Sequence, residues 1–302
     1  MPLHLLFPLF SSVVFVLGMM LVKRGTTLGV SPWTGTFLGN AWLALFWSVP
    51  AFLNGTVAPT EAWGQAAVIG GLFVLGQLFT YLAFQFGDVS VATPVFGVKV
   101  LMVALLVSAL AGEAVPGRVW IASALATVGV ILVQSSGSRS PKSNDSDHPS
   151  ATSRFGLTIG MALLAAFCLS LFDVLLKKWG TQWNSREFLP VAFAVTGILS
   201  CGFLPWVDRP KNMMQLKALR WIVPGTMLMA MQAVSMSWSL STYGDATRIN
   251  IVYALRGLWG VLLAWGTARY FAANEAFLAP GVMLRRLTGA VLLTVAVVVA
   301  LV

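Results

Sequence analysis

The sequence predicts an all-α integral membrane protein of ten transmembrane helices, arranged as two inverted five-helix repeats. Three observations lead there. Of 302 residues, 58% are hydrophobic and only 10% charged, with a mean hydropathy of +0.83, whereas a soluble domain carries about 25% charged residues. Apolar stretches of about 20 residues, enough for a helix to cross ~30 Å of hydrocarbon, recur along the chain. The second half of the sequence also resembles the first.

The expected spans are 3–22, 33–53, 65–85, 89–111, 117–135, 155–176, 187–206, 219–241, 246–268 and 282–302, each bounded by charges, Gly or Pro. The first lacks a basic leader and a small-residue cleavage site, so it reads as a span and not as a cleaved signal peptide. Lys23 and Arg24 close it, Gly55 follows the second, and Gly87-Asp88 separates the third from the fourth. Pro116 precedes the fifth. After it comes the one long polar segment, QSSGSRSPKSNDSDHPSATSR, rich in Ser, Pro and charge, which reads as a flexible linker. Lys177 and Lys178 close the sixth span, Arg186 and Asp208 bracket the seventh, and Gly244-Asp245 separates the eighth from the ninth. The organisation is thus a first repeat over 1–135, a linker over 136–154 and a second repeat over 155–302.

FGDVSVATPVFGVK, Phe86 to Lys99, aligns without a gap on YGDATRINIVYALR, Tyr243 to Arg256, at a constant offset of 157 residues. VKRG at 22–25 resembles KKWG at 177–180, and GEAV at 112–115 resembles NEAF at 274–277. The shared order of these matches argues for duplication. Because five is odd, the second copy must enter the membrane with the opposite orientation, as in many secondary transporters whose site lies where the copies meet.

Ten spans as five plus five, Pro94 in the fourth span and the following Gly112-Glu113 resemble the drug/metabolite transporter superfamily in its EamA-like branch. The resemblance covers nearly the whole chain and implies a secondary active transporter working by alternating access. A narrower resemblance concerns the organophosphate and nucleotide-sugar branches, including the plastid triose-phosphate translocators. These carry a lysine in the fourth span and Lys or Lys-Arg in the ninth, and Lys99 and Arg256 look like those positions, which the resemblance makes phosphate-binding. Leu255 stands where the translocators have a second cation, so phosphate and carboxylate both stay open.

The two cations also stand out physically. With Asp88 and Asp245 as helix N-caps, each lies eleven residues further on, about 16 Å into a ~30 Å crossing. A charge at that depth costs at least ~2.5 kcal/mol, so water, an acid or a ligand must compensate it. The expectation is a small organic anion held between Lys99 and Arg256, the arginine offering a planar fork and the lysine a movable point charge. Tyr253, three residues before Arg256, is placed to share that anion, with Asn250 a weaker neighbour. Gln77, Tyr81 and Gln85 share one face of the third span. Gln232, Ser235 and Ser239 share one face of the eighth, where Trp238 is the repeat mate of Tyr81. Interhelical hydrogen bonding is the plain alternative for these polar faces. The substrate-binding set is therefore Lys99, Arg256, Tyr253, Gln77, Tyr81, Asn250 and Trp238.

Other classes are disfavoured. The net charge of +9 comes without a basic run of five or more residues, and its cations mostly flank apolar segments, so lipid headgroups and not nucleic acid are the expected partners. Cys168 and Cys201 lie within apolar stretches, and His4 and His148 are isolated, which gives no disulfide framework and no metal site. There is no phosphate-cradling Gly-Lys-Ser/Thr loop, so no enzyme activity, catalytic residue or cofactor is expected. Asp173, four residues before Lys177, suits a helix ion pair. The alternatives are a proton-coupled exporter of amino acids or other zwitterionic or neutral metabolites, and a lipid-phosphate translocase. The expected location is a bacterial inner membrane, crossed many times, with a monomer sufficient for the mechanism and a dimer compatible with it. Loop Lys and Arg number twelve on the side of the first loop against four on the other. By the positive-inside rule that puts both termini outside the cytoplasm, whereas the family resemblance implies the reverse.

Overall fold

The computed structural model describes residues 3–86, 95–110, 112, 114–134, 150–215, 217–260, 262–263 and 280–301. Among them all regular structure is helical: α1 Leu6–Thr27, α2 Pro32–Asn54, α3 Trp63–Phe86, α4 Lys99–Leu110, α5 Gly117–Gln134, α6 Ser150–Gln182, α7 Ser185–Ser200, α8 Leu219–Tyr243, α9 Ala246–Tyr253 and α10 Pro280–Leu301, with short 3-10 turns and one brief helix over Pro210–Gln215. Seven helices among the described residues have the length and apolar composition to cross a membrane. The chain is an all-helical, multi-pass membrane protein. α8 is long enough at 25 residues, but Gln232 and the serines at 235, 237, 239 and 241 make it more polar than the others.

Local sequence explains the helix ends. The Ser31 side chain accepts the Trp33 N–H at 3.3 Å with Pro32 at the first helical position, and α2 stops at Gly55, whose φ of +66° is a left-handed cap. α6 departs from expectation by beginning at Ser150 and running 33 residues, about 50 Å, so several turns extend beyond a ~30 Å core. The expected seventh span is also not one α-helix. α7 ends at Ser200 and tightens into a 3-10 turn over Cys201–Trp206, where Pro205 has no N–H to continue the helix.

The chain forms two compact units, residues 1–74 with 172–249 and residues 75–171 with 250–302. In the first, α1 packs along α8 and α2 against α7 and α8. A Cβ on Gly18 would stand 3.0 Å from the Gly225 carbonyl oxygen, and one on Gly225 would stand 2.9 Å from the Val22 nitrogen. With lipid outside, such close packing of small residues takes the place of the hydrophobic effect in joining helices. Hydroxyls add polar ties: Ser11 donates to the Gln232 carbonyl and Ser235 to the Phe7 carbonyl, both at 3.2 Å. Asn40 Nδ2 donates to Ser200 Oγ at 2.7 Å, joining α2 to α7. Asp208 Oδ2 accepts both the Ser31 N–H at 2.6 Å and the Thr34 hydroxyl at 2.8 Å, which ties the segment after α7 to the start of α2.

In the second unit α5 packs along α10, and α4 lies against α5. Here too the joint is glycine: a Cβ on Gly289 would lie 2.7 Å from the Gly129 carbonyl oxygen and 2.9 Å from the Val133 nitrogen. Ala83 of α3 and Ala162 of α6 form a buried pair, with Val95, Phe96 and Met161 packed on it.

Candidate functional site

Helical hydrogen bonding is interrupted at two places in the second unit, and the interruptions match residue for residue. Before α4, the Val98 N–H bonds to the Val95 carbonyl and the Val100 N–H to the Gly97 carbonyl, both spaced by three, before Met102 to Val98 restores the α-helical spacing of four. After α9, Leu255 bonds to Val252 and Gly257 to Ala254, again spaced by three, before Trp259 to Leu255 restores four. Every one of these bonds recurs at the 157-residue offset seen in the sequence. Turns at Gly97-Val98 and Ala254-Leu255 result, and the residue directly after each turn is the cation: Lys99 opens α4 and Arg256 opens the helical run 256–260. The expected uninterrupted ninth span is therefore broken at the point where its charge sits.

Lys99, Arg256, Tyr253, Asn250, Gln77 and Tyr81 all belong to the second unit. Lys99 and Arg256 are half-buried, while Tyr253 and Asn250 are buried. The Arg256 guanidinium lies over the Tyr253 ring, 4.7 Å from its centroid, a cation–π arrangement that holds the fork in place. Tyr253 thus meets Arg256 with its face. The Lys99 carbonyl accepts the Ser170 hydroxyl at 3.3 Å, tying the start of α4 to α6. Gln77 and Tyr81 are half-buried on α3.

Trp238 belongs to the first unit. Its ring is 6.1 Å from that of Trp47, and the Arg186 guanidinium lies 5.8 Å over it. Ser235, one turn earlier, is engaged with the Phe7 backbone, as the interhelical alternative expected. Asp173 and Lys177 are both buried in the first unit. Asp88, Pro94, Glu113, His148 and Glu275 lie outside the described residues.

Sequence reasoning missed two features. The first is the helix breaks. The second is a polar cluster at the start of α9: Asp245 Oδ1 accepts the Arg248 N–H at 3.3 Å, the N-cap expected of it, while Oδ2 stands 3.3 Å from Arg248 Nη1 and 3.8 Å from His4 Nε2. His4 also stacks on Tyr243, with centroids 5.1 Å apart. Isolated in the sequence, His4 is brought to Asp245 by the packing of α1 on α8. Among the described residues no group of His, Cys, Asp or Glu could hold a metal ion.

An all-helical, multi-pass membrane protein with paired breaks in two of its helices is the class that fold and site define. Among 29 matching chains of solved structures, one described as "Crystal structure of protein" is similar to this chain at 16% identity and a TM-score of 0.67, covering 98% of this chain and 96% of that one. At that identity the likeness shows a shared fold. No protein-family model and no curated protein matches the chain.

Proposed function

We propose that the protein is a secondary active transporter of ten spans in two inverted repeats, of the drug/metabolite transporter type, that carries a small organic anion with Lys99 and Arg256 as its counter-charges. The observation that carries this reading is the recurrence, at one offset, of the same three backbone hydrogen bonds around a turn whose next residue is a cation. Interrupted helices in transporters line substrate sites, because the freed backbone groups and the helix ends there offer dipoles to a ligand. A cation at each interruption selects for negative charge. Tyr253 orients Arg256, and Gln77, Tyr81 and Asn250 supply polar contacts from the same unit.

Alternating access follows from repeats of opposite orientation: two conformations related by their exchange expose the anion first to one side and then to the other. The test is uptake of radiolabelled phosphorylated and carboxylated metabolites into proteoliposomes. Saturable uptake by the wild type and loss of at least 100-fold in Lys99→Ala/Arg256→Ala is expected, and equal uptake by both proteins contradicts the assignment.

A further inference from the structure

A groove of about 820 Å³ opens on the first unit, bordered by Leu6 and Phe10 of α1, Phe46 and Trp47 of α2, and Met231 and Trp238 of α8. Its volume falls in the range of small-molecule sites, and apart from the backbone-engaged Ser235 its lining is apolar or aromatic. Leu6, Phe10 and Met231 are exposed, so the groove is open along the side formed by α1 and α8. Along α8 it runs from Met227 to Trp238, eleven residues or about 16 Å, close to the ~15 Å depth of one leaflet's hydrocarbon.

The charge lies at one end. Trp238 is five residues from the end of α8, and over its ring stands the guanidinium of exposed Arg186, at the start of α7. Among the described residues no carboxylate pairs with Arg186, whose other interaction is a backbone N–H donated to Asn184 Oδ1. Beside Trp238, with ring centroids 6.1 Å apart, stands Trp47, whose buried indole N–H has no acceptor among the described residues. A cation at the height of a helix end and one leaflet's depth of apolar wall match an amphiphile with an anionic head and a long tail. We propose that this groove binds one anionic phospholipid of the surrounding bilayer, with its phosphate on Arg186 and an acyl chain along α1 and α8. The occupant comes from the membrane, so the inference stands apart from the transported substrate.

The test uses the full chain purified in an uncharged detergent, with phosphatidylglycerol and phosphatidylcholine of identical acyl chains added and the retained lipid counted by native mass spectrometry. Wild type is expected to retain phosphatidylglycerol at least fivefold more than phosphatidylcholine. Arg186→Gln should lose that preference and Arg186→Lys should keep most of it, while Met231→Trp, which sets a bulky ring across the middle of the groove, should reduce retention of both lipids. Melting curves on the same samples show that each variant is folded. Equal retention of the two lipids by the wild type, or an undiminished preference in folded Arg186→Gln, overturns the proposal. So does undiminished retention of phosphatidylglycerol in folded Met231→Trp, which places the lipid elsewhere on the surface.

Discussion

The segments before α4 and after α9, expected as the fourth and ninth spans, carry one backbone device in two chemical versions. Both break helical bonding with the same two three-residue hydrogen bonds, and in both the residue after the turn is a cation. Around the ninth the sequence adds polar partners: Tyr253 under Arg256, Asn250 one turn earlier, and an entry to α9 capped by Asp245 and braced by Arg248 and His4. At the matching places of the fourth the chain has Phe96 for Tyr253, Thr93 for Asn250 and Val91 for Arg248. At Arg256 the chain thus presents a planar fork already stacked on a ring, and at Lys99 an ammonium at the end of four methylenes. A stacked guanidinium loses less freedom on binding than an ammonium on four methylenes. On our reading, Arg256 sets the orientation of the anion and Lys99 follows its charge.

Several substitutions break or sharpen that difference. Removing both charges in Lys99→Ala/Arg256→Ala should weaken anion binding at least 100-fold, since each charged contact contributes about 1.5–3 kcal/mol, and titration calorimetry reads this directly. Arg256→Lys, which keeps the charge but loses the fork, should cost about tenfold, whereas Lys99→Arg should stay within about threefold; equal costs would erase the distinction between the two sites. Smaller again is Tyr253→Leu, expected to weaken binding about two- to fivefold because a cation–π contact to a half-buried arginine contributes about 0.5–1 kcal/mol. Tyr253→Phe keeps the ring and should lose little, so a large loss there would give the role to the hydroxyl instead. The smallest effect is expected of Phe96→Tyr, which brings the fourth span closer to the ninth and should change affinity by no more than about twofold.

Much of this could be read from the sequence, because lipid leaves few choices to a backbone. Helices must satisfy their own hydrogen bonds in hydrocarbon, so composition and spacing alone give an all-helical, multi-pass chain with most boundaries close to those observed. The gap-free match from Phe86 to Lys99 with Tyr243 to Arg256 already pointed to the place of the breaks, but not to the breaks themselves. Gly97 is a weak helix former, yet its repeat mate Ala254 and the neighbouring Leu255 are strong ones. The turn at 254–255 has no signal in local propensity and must be imposed by packing. His4 meeting Asp245 was hidden for a related reason, since 241 residues separate them and only the packing of α1 along α8 joins them. Trp238, the repeat mate of Tyr81, lies in the first unit beside Trp47 and Arg186, neighbours that no repeat match gives. A repeat match gives equivalent positions and leaves their neighbours undetermined.

The most direct test of the central claim is a thermal-shift screen of the purified chain against phosphorylated and carboxylated metabolites, run in parallel on Lys99→Ala/Arg256→Ala. A ligand bound only by the folded protein stabilises it by about 2.7 kcal/mol at a hundredfold excess over its dissociation constant, enough to raise the melting temperature visibly. Our account predicts stabilisation of the wild type by one class of anion and no shift in the double variant. Equal stabilisation of both proteins, or stabilisation by uncharged ligands alone, would contradict it.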